Sequence, residues 1–288
     1  MVVIGPVRGT RSRMPSDPIR SDVAARIPSA GGVLAERARE AAAAWRYLTG
    51  AEPGLSEEDR VARGGAAFSV LGLALAAPVA LVLWPLAALV APPVQGVVGV
   101  LLLWLVSRAS LPVALGRVAR AAAEARDDRE RALAIADADA RPGRIGAAAI
   151  AADGLLKGAA LAELSGSTLG LAVVLAVVLG RWAMAVHAYG SIAARPDDLA
   201  AAFVKNLQFN QFAVASVAAM AVTLSASNAM GVLLLFGVAS VTIAFRIAVH
   251  GWLGGITPTT IRAAGELAET TALCLCALLV LVARALGG

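Results

Sequence analysis

The sequence predicts an all-α, polytopic integral membrane bundle of about seven transmembrane helices. Three observations lead there. Hydrophobic residues make up 59% of the 288, and the mean hydropathy of +0.75 is too high for a soluble domain of this length. Several runs of about 20 residues are almost entirely Ala, Val, Leu, Ile or Gly, the length that crosses hydrocarbon. The basic residues collect in the connections between these runs, where the positive-inside rule puts them.

Taken in order, residues 1 to about 40 are rich in Arg, Pro, Ser and Gly and hold no apolar core segment. The opening Met1-Val2-Val3-Ile4-Gly5-Pro6 is too short for a signal-peptide core. From Val33 to Leu48 an Ala/Arg/Glu pattern predicts an amphipathic helix, with Trp45 and Tyr47 at the membrane interface. Ser56-Glu57-Glu58-Asp59 reads as a cap and acidic first turn leading into the membrane. Residues 1–62 are thus expected to form a cytoplasmic arm, and 63–288 the membrane domain.

The first span is predicted over 66–91, kinked at Pro78 and Pro85, with Pro92-Pro93 as the turn. The second starts near 94 and fades between Val106 and Leu115, broken by the stretch Arg108 to Pro112. A polar segment follows over 116–144, carrying Arg117, Arg120, Arg126, Arg129, Arg131, Arg141 and Arg144. Spans three to seven are expected at 145–164, 168–189, 209–226, 229–249 and 268–286. With the N-terminal arm inside, the 116–144, 190–208 and 250–267 connections all face the cytoplasm, and short turns near 92, 166 and 227 face out. Such a layout suits charged cytoplasmic substrates.

The charge balance is +5, nearly all of it arginine, since Lys157 and Lys205 are the sole lysines. Spread through the connections of a membrane protein, this excess does not indicate nucleic-acid binding. Cys274 and Cys276 stand two apart on a predicted helix, so they point in different directions and read as packing residues rather than a disulfide or metal pair.

Chemistry-bearing residues fall in four places. Gly254-Gly255-Ile256-Thr257-Pro258 is a glycine hinge in which Thr257 reads as a helix N-cap and Pro258 as the first helical residue. Glu266 and Glu269 then share one face beside Arg262, suiting a metal or phosphate site, or else a solvated first turn. Asp153 and Lys157, four apart inside a span, are a functional pair or a structural one. Arg181 lies deep enough in its span to need a buried anion, whereas His187, about 120° round the same helix, reads as a helix-end residue. Asp137 and Asp139 precede Arg141-Pro142-Gly143-Arg144-Ile145-Gly146, a turn suited to a divalent cation and a phosphate, or simply to solvent. No Gly-x-x-x-x-Gly-Lys-Ser/Thr, His-Glu-x-x-His or Cys-x-x-Cys pattern occurs, and hydrolase chemistry has no support.

Four stretches, in order, resemble the membrane-embedded cobalamin synthase family, the adenosylcobinamide-GDP ribazoletransferases. They are Arg46-Tyr47-Leu48-Thr49 with Ala67-Phe68-Ser69-Val70-Leu71-Gly72; Arg131-Ala132-Leu133-Ala134-Ile135 with Arg144-Ile145-Gly146; Gly180-Arg181-Trp182-Ala183-Met184; and Gly254-Gly255-Ile256-Thr257 with Glu266-Leu267-Ala268-Glu269. The resemblance implies joining of α-ribazole or its 5′-phosphate to adenosylcobinamide-GDP with release of GMP, in the bacterial inner membrane. It assigns catalysis to Arg144, Arg181, Glu266 and Glu269, ligand contact to Gly254, Gly255 and Thr257, and a Mg²⁺ ion to Asp137 and Asp139.

Departures from the pattern bear on that ion. The family's Gly-Leu-His-x-Asp-Gly-Leu-Ala-Asp-x-x-Asp stretch is replaced by Ser107-Arg108-Ala109-Ser110-Leu111-Pro112, which continues to Arg120 without carboxylate or histidine. Pro258-Thr259 stands in place of Gly-Asp, Arg262 in place of a glycine, and Pro142 in place of an aspartate. Arginine can hold phosphate but not Mg²⁺. Two alternatives therefore stand beside the transferase: a non-catalytic relative that binds a phosphorylated ligand or a membrane partner, and a small transporter using Asp153, Lys157 and Arg181.

Overall fold

The computed structural model describes residues 30–54, 56–137, 141–227 and 229–287. Among these there are helices and no strands. In chain order they are α1 (Ala30–Leu48), α2 (Glu58–Arg63) with a 3₁₀ turn at Gly64–Ala67, α3 (Phe68–Leu86), α4 (Pro92–Val106), α5 (Ser110–Glu124) and α6 (Arg129–Asp137). There follow α7 (Gly143–Glu163), α8 (Gly166–Ala188), α9 (Leu199–Asn206), α10 (Phe209–Ser227), α11 (Ala229–Leu253) and α12 (Pro258–Gly287). Residues from Arg39 onward form one compact unit; those up to Ala38 form another, described over the first half of α1. Six helical stretches are long and apolar enough to cross a membrane, and the pair α4–α5, bent by 92°, makes a seventh if counted as one. The all-α membrane bundle expected from the sequence is what is observed.

The apolar sequence of α8 is hydrophobic on every side because the helix is central: it is far more buried than any other span. The outer helices are apolar for a different reason. Leu81, Trp84, Leu105, Phe236 and Ile247 are exposed on the outer surface, where a soluble protein would carry charge. Glycine permits the closest crossings. A Cβ on Gly96 of α4 would stand 2.3 Å from the Gly158 carbonyl of α7, and one on Gly180 of α8 would stand 2.5 Å from Cγ of Glu269 on α12. Beside the first crossing, Gln95 donates to the Leu161 and Leu164 carbonyls at 2.6 and 2.8 Å, satisfying the C-terminal end of α7.

Three regions differ from expectation. The break after Val106 is sharp, with Arg108 and Ala109 both left-handed at φ 49° and 56°, so the second hydrophobic run turns through 92° rather than fading. The polar segment beyond it folds into α5 and α6, not a loop. Leu111, Ala114, Val118 and Ala121 recur every three or four residues on the buried face of α5, so the arginines mask an amphipathic helix. Finally, the hinge helix and the seventh span are one helix of 30 residues, which takes Glu266 and Glu269 off the surface.

At the N-terminal side, Trp45 is 38% exposed but Tyr47 is buried, packed against Phe68 and Phe203 with ring centroids 6.3 and 6.0 Å away. Tyr47 is thus a core residue and not the interfacial one expected. Glu57, not Ser56, precedes α2, and Glu58 and Asp59 form its acidic first turn.

Candidate functional site

The glycine hinge is built by hydrogen bonding to another connection. Ile256 N–H donates to the Ile192 carbonyl at 2.8 Å, and Ala194 N–H donates to the Ile256 carbonyl at 2.9 Å, making a single parallel bridge. A Cβ at position 255 would lie 2.5 Å from the Ile192 oxygen, so only glycine allows this approach. Gly254 is left-handed at φ 73° and faces the Arg129 guanidinium. Arg129 in turn donates to the Leu253 carbonyl at 2.7 Å and the Ala194 carbonyl at 3.3 Å, closing the end of α11 and fastening α6 to both connections.

Thr257 caps α12 as its sequence predicts. Its hydroxyl accepts from Thr260 N–H at 3.2 Å while the Thr260 hydroxyl accepts from Thr257 N–H at 2.8 Å. In the structure Gly254, Gly255 and Thr257 shape the entry to α12, and the Thr257 side chain is fully buried and occupied by the cap.

From this start, α12 carries Arg262, Glu266 and Glu269 at i, i+4 and i+7, one face over two turns. Glu266 and Glu269 meet a buried cluster. The Lys157 ammonium lies 2.6 Å from Glu266 Oε1, 3.4 Å from Glu269 Oε2 and 3.6 Å from Asp153 Oδ2. Arg181 Nη1 donates to Glu269 Oε1 at 2.7 Å, which is the buried anion its position demanded. Trp104 Nε1 donates to Glu266 at 3.3 Å, and the Thr270 hydroxyl donates to Asp153. Lys157 is wholly buried, and Asp153, Arg181, Glu266 and Glu269 are each no more than 5% exposed. Lys157 binds Glu266 more closely than its own-helix partner Asp153. Helix spacing alone gave the second pairing and could not give the first. His187, also buried, makes a 3.3 Å contact to the Thr260 hydroxyl and stacks on Phe245, as a helix-end residue.

The same helix start opens on a second polar place. A cavity of about 320 Å³ is lined by Glu52, Arg117, Arg195, Asp198, the first residues of α12 and Arg262. Arg117 of α5, Arg195 of the connection before α9 and Arg262 of α12 thus meet at one cavity. Arg262 lies over the Tyr47 ring, 4.7 Å from its centroid, and pairs with Glu52. Burial pushes the Tyr47 hydroxyl up to about 12, against the pull of the Arg262 charge. Burial likewise raises the Asp198 carboxyl, although the Ala201 and Ala200 amides at the start of α9 and the Arg195 charge favour its ionised form.

Of the residues the sequence singled out, the structure brings Arg181, Glu266 and Glu269 together. Arg144 is exposed at the start of α7, nine residues and about 13 Å of helix before Asp153. Asp137 ends α6 with its side chain outside the described residues, and Asp139 lies outside them altogether. What sequence reasoning missed is the partnership of Lys157 with α12 and the cavity role of Glu52, Arg117 and Arg195. The i, i+4, i+7 row Arg262–Glu266–Glu269 was the available signal for a single polar stripe.

The Mg²⁺ that the resemblance implies needs carboxylate oxygens converging on one point. Among the described residues no group of three His, Cys, Asp or Glu side chains is arranged to hold a metal ion. The three carboxylates that converge do so on the Lys157 ammonium, a cation supplied by the chain itself. At the mouth, Pro258, Thr259 and Arg262 offer no anionic oxygen, and the two carboxylates of the lining, Glu52 and Asp198, stand among three arginines. Among the described residues, which do not include the side chains of Asp137 and Asp139, these donors do not fit a divalent ion.

The sequence profile described as cobalamin-5-phosphate synthase matches residues 40–277. The chain belongs to that family. It is also 41% identical over 151 residues to an adenosylcobinamide-GDP ribazoletransferase of Roseiflexus sp. (strain RS-1), a match covering 50% of this chain and 53% of the relative. The match thus spans about half the length of that curated relative. No solved structure matches the chain. The match begins within α1 and ends within α12, so it takes in both the buried cluster and the mouth.

Proposed function

We propose that this protein is a membrane-embedded transferase of cobalamin assembly, joining α-ribazole or its 5′-phosphate to adenosylcobinamide-GDP with loss of GMP. One observation carries the reading: within a family match covering residues 40–277, α12 presents a cationic cavity at its start and a row of polar side chains leading inward. Displacement at a diphosphate builds negative charge on phosphoryl oxygens, and cationic donors held in place lower its barrier. Arg262, Arg117 and Arg195 fill that role here, while Arg181, Glu266 and Glu269 hold α12 against α7 and α8. The cationic end is assigned to the cytoplasm of a bacterial inner membrane, with the N-terminus inside, since the arginine-bearing connections share it.

Washed membranes containing the full chain, given adenosylcobinamide-GDP and α-ribazole, are expected to release GMP. Arg262→Gln is expected to cut release by about tenfold or more. Substrate binding with no GMP release would instead favour a non-catalytic relative, a reading to which the missing carboxylates give specific support. Solute flux in proteoliposomes without GMP would point to transport through the Asp153–Lys157–Arg181 region.

A further inference from the structure

We infer that the cavity at the start of α12 binds a phosphate or diphosphate anion directly through arginine, with no divalent ion between them, and that Glu52 holds the anion's place until it arrives. The proposal rests on the preceding reading only for the molecule that carries the anion.

Arg262 is 7% exposed, and its Nε and Nη2 meet no acceptor at hydrogen-bonding geometry. The Tyr47 hydroxyl beneath it is likewise buried, with the Arg262 guanidinium as its polar neighbour and no partner at strict hydrogen-bonding geometry. Buried donors left unpaired cost about 1–3 kcal/mol each. Arg181 Nε is also unpaired, but Arg262 has two such donors and lines a cavity, so it is the guanidinium placed to take an acceptor from outside. The one acceptor Arg262 does have is Glu52, whose side chain is 70% exposed and sits in a non-helical connection. A carboxylate against a buried guanidinium presents oxygens to the same fork that a phosphate would use.

The surroundings favour an anion. Three arginines against Glu52 and Asp198 leave the lining one positive charge in excess, and outward movement of Glu52 would leave two. The α12 macrodipole adds its positive end. In the first turn, Thr260 and Ile261 amides are taken by Thr257, which leaves the Thr259 amide unused by the cap at the cavity wall. The same features repel Mg²⁺. Arginine has taken over the charge neutralisation that carboxylate-held metal would otherwise supply, which makes the loss of the family's acids a change of mechanism at this site rather than a loss of the site.

The test is calorimetric titration of the full-length protein in lipid nanodiscs with inorganic pyrophosphate in EDTA, repeated with excess Mg²⁺. Binding is expected in EDTA. Arg262→Gln is expected to weaken it by about tenfold or more. Because Arg262 is buried, the exposed Arg195→Gln is measured beside it and is expected to weaken binding with the same sign. Glu52→Gln is expected to tighten binding several-fold by removing the internal competitor. Binding that requires Mg²⁺, no binding under either condition, or weakening by Glu52→Gln would each overturn the proposal. Pyrophosphate bound without GMP release would remove the transfer reading and leave this one standing; GMP release with no metal-free pyrophosphate binding would do the reverse.

Discussion

Two charged places lie on one face of α12, a turn apart, and they are built on opposite rules. In the interior, Lys157 and Arg181 face Glu266, Glu269 and Asp153 at contact distance, with almost no exposure. At the mouth, arginine outnumbers carboxylate, and Arg262 retains donors that nothing accepts. Buried ions are tolerated where opposite charges converge, because leaving one uncompensated costs about 3–5 kcal/mol. A place that must receive a charged ligand has to stay unmatched. The interior therefore holds helices together, and the mouth is where a ligand completes the structure.

The largest expected effect tests the interior. Lys157→Met would leave Glu266 and Asp153 without a cation, Glu269 keeping Arg181, and is expected to destabilise the protein by about 3–5 kcal/mol, read by thermal unfolding in detergent. Adding Glu266→Gln should recover part of that loss; a double variant no better than the single would show that the two do not work as a pair. Gly180→Ala comes next. Its methyl would stand 2.5 Å from Glu269 Cγ, and forcing α8 from α12 should cost about 1–3 kcal/mol in the same assay. Salt separates the two places directly. Raising NaCl roughly tenfold should weaken pyrophosphate binding at the mouth several-fold and leave the unfolding temperature nearly unmoved, since buried pairs are little screened. Smallest is Gly254→Ala: a side chain at φ 73° beside the Arg129 guanidinium should cost about 1–2 kcal/mol and loosen the hinge, seen as faster amide exchange at Ile256.

The same contrast explains what could be read from sequence. Apolar runs placed the first span and the third to sixth to within a few residues, because lipid-facing and core-facing helices alike must be apolar over a fixed length. The Thr257-Pro258 start was legible because capping is local. Arg181's need for an anion was legible from its depth, but the identity of that anion was not, since α8 and α12 meet only after folding. The segment after Val106 misled for a converse reason: arginine every few residues looks like solvated chain until Leu111, Ala114, Val118 and Ala121 are seen to share a face. Glu52 carried no signal at all, being an acidic residue in a connection until its guanidinium partner stands opposite.

The unbroken course of α12 has a mechanical outcome. Thirty residues make a rod of about 45 Å, half as long again as the roughly 30 Å of hydrocarbon around it. Such a rod leans or protrudes by an amount that lipid chain length sets. The depth of Arg262 relative to the bilayer should therefore respond to lipid chain length, and a change of acyl chain should retune how readily an anionic solute arrives.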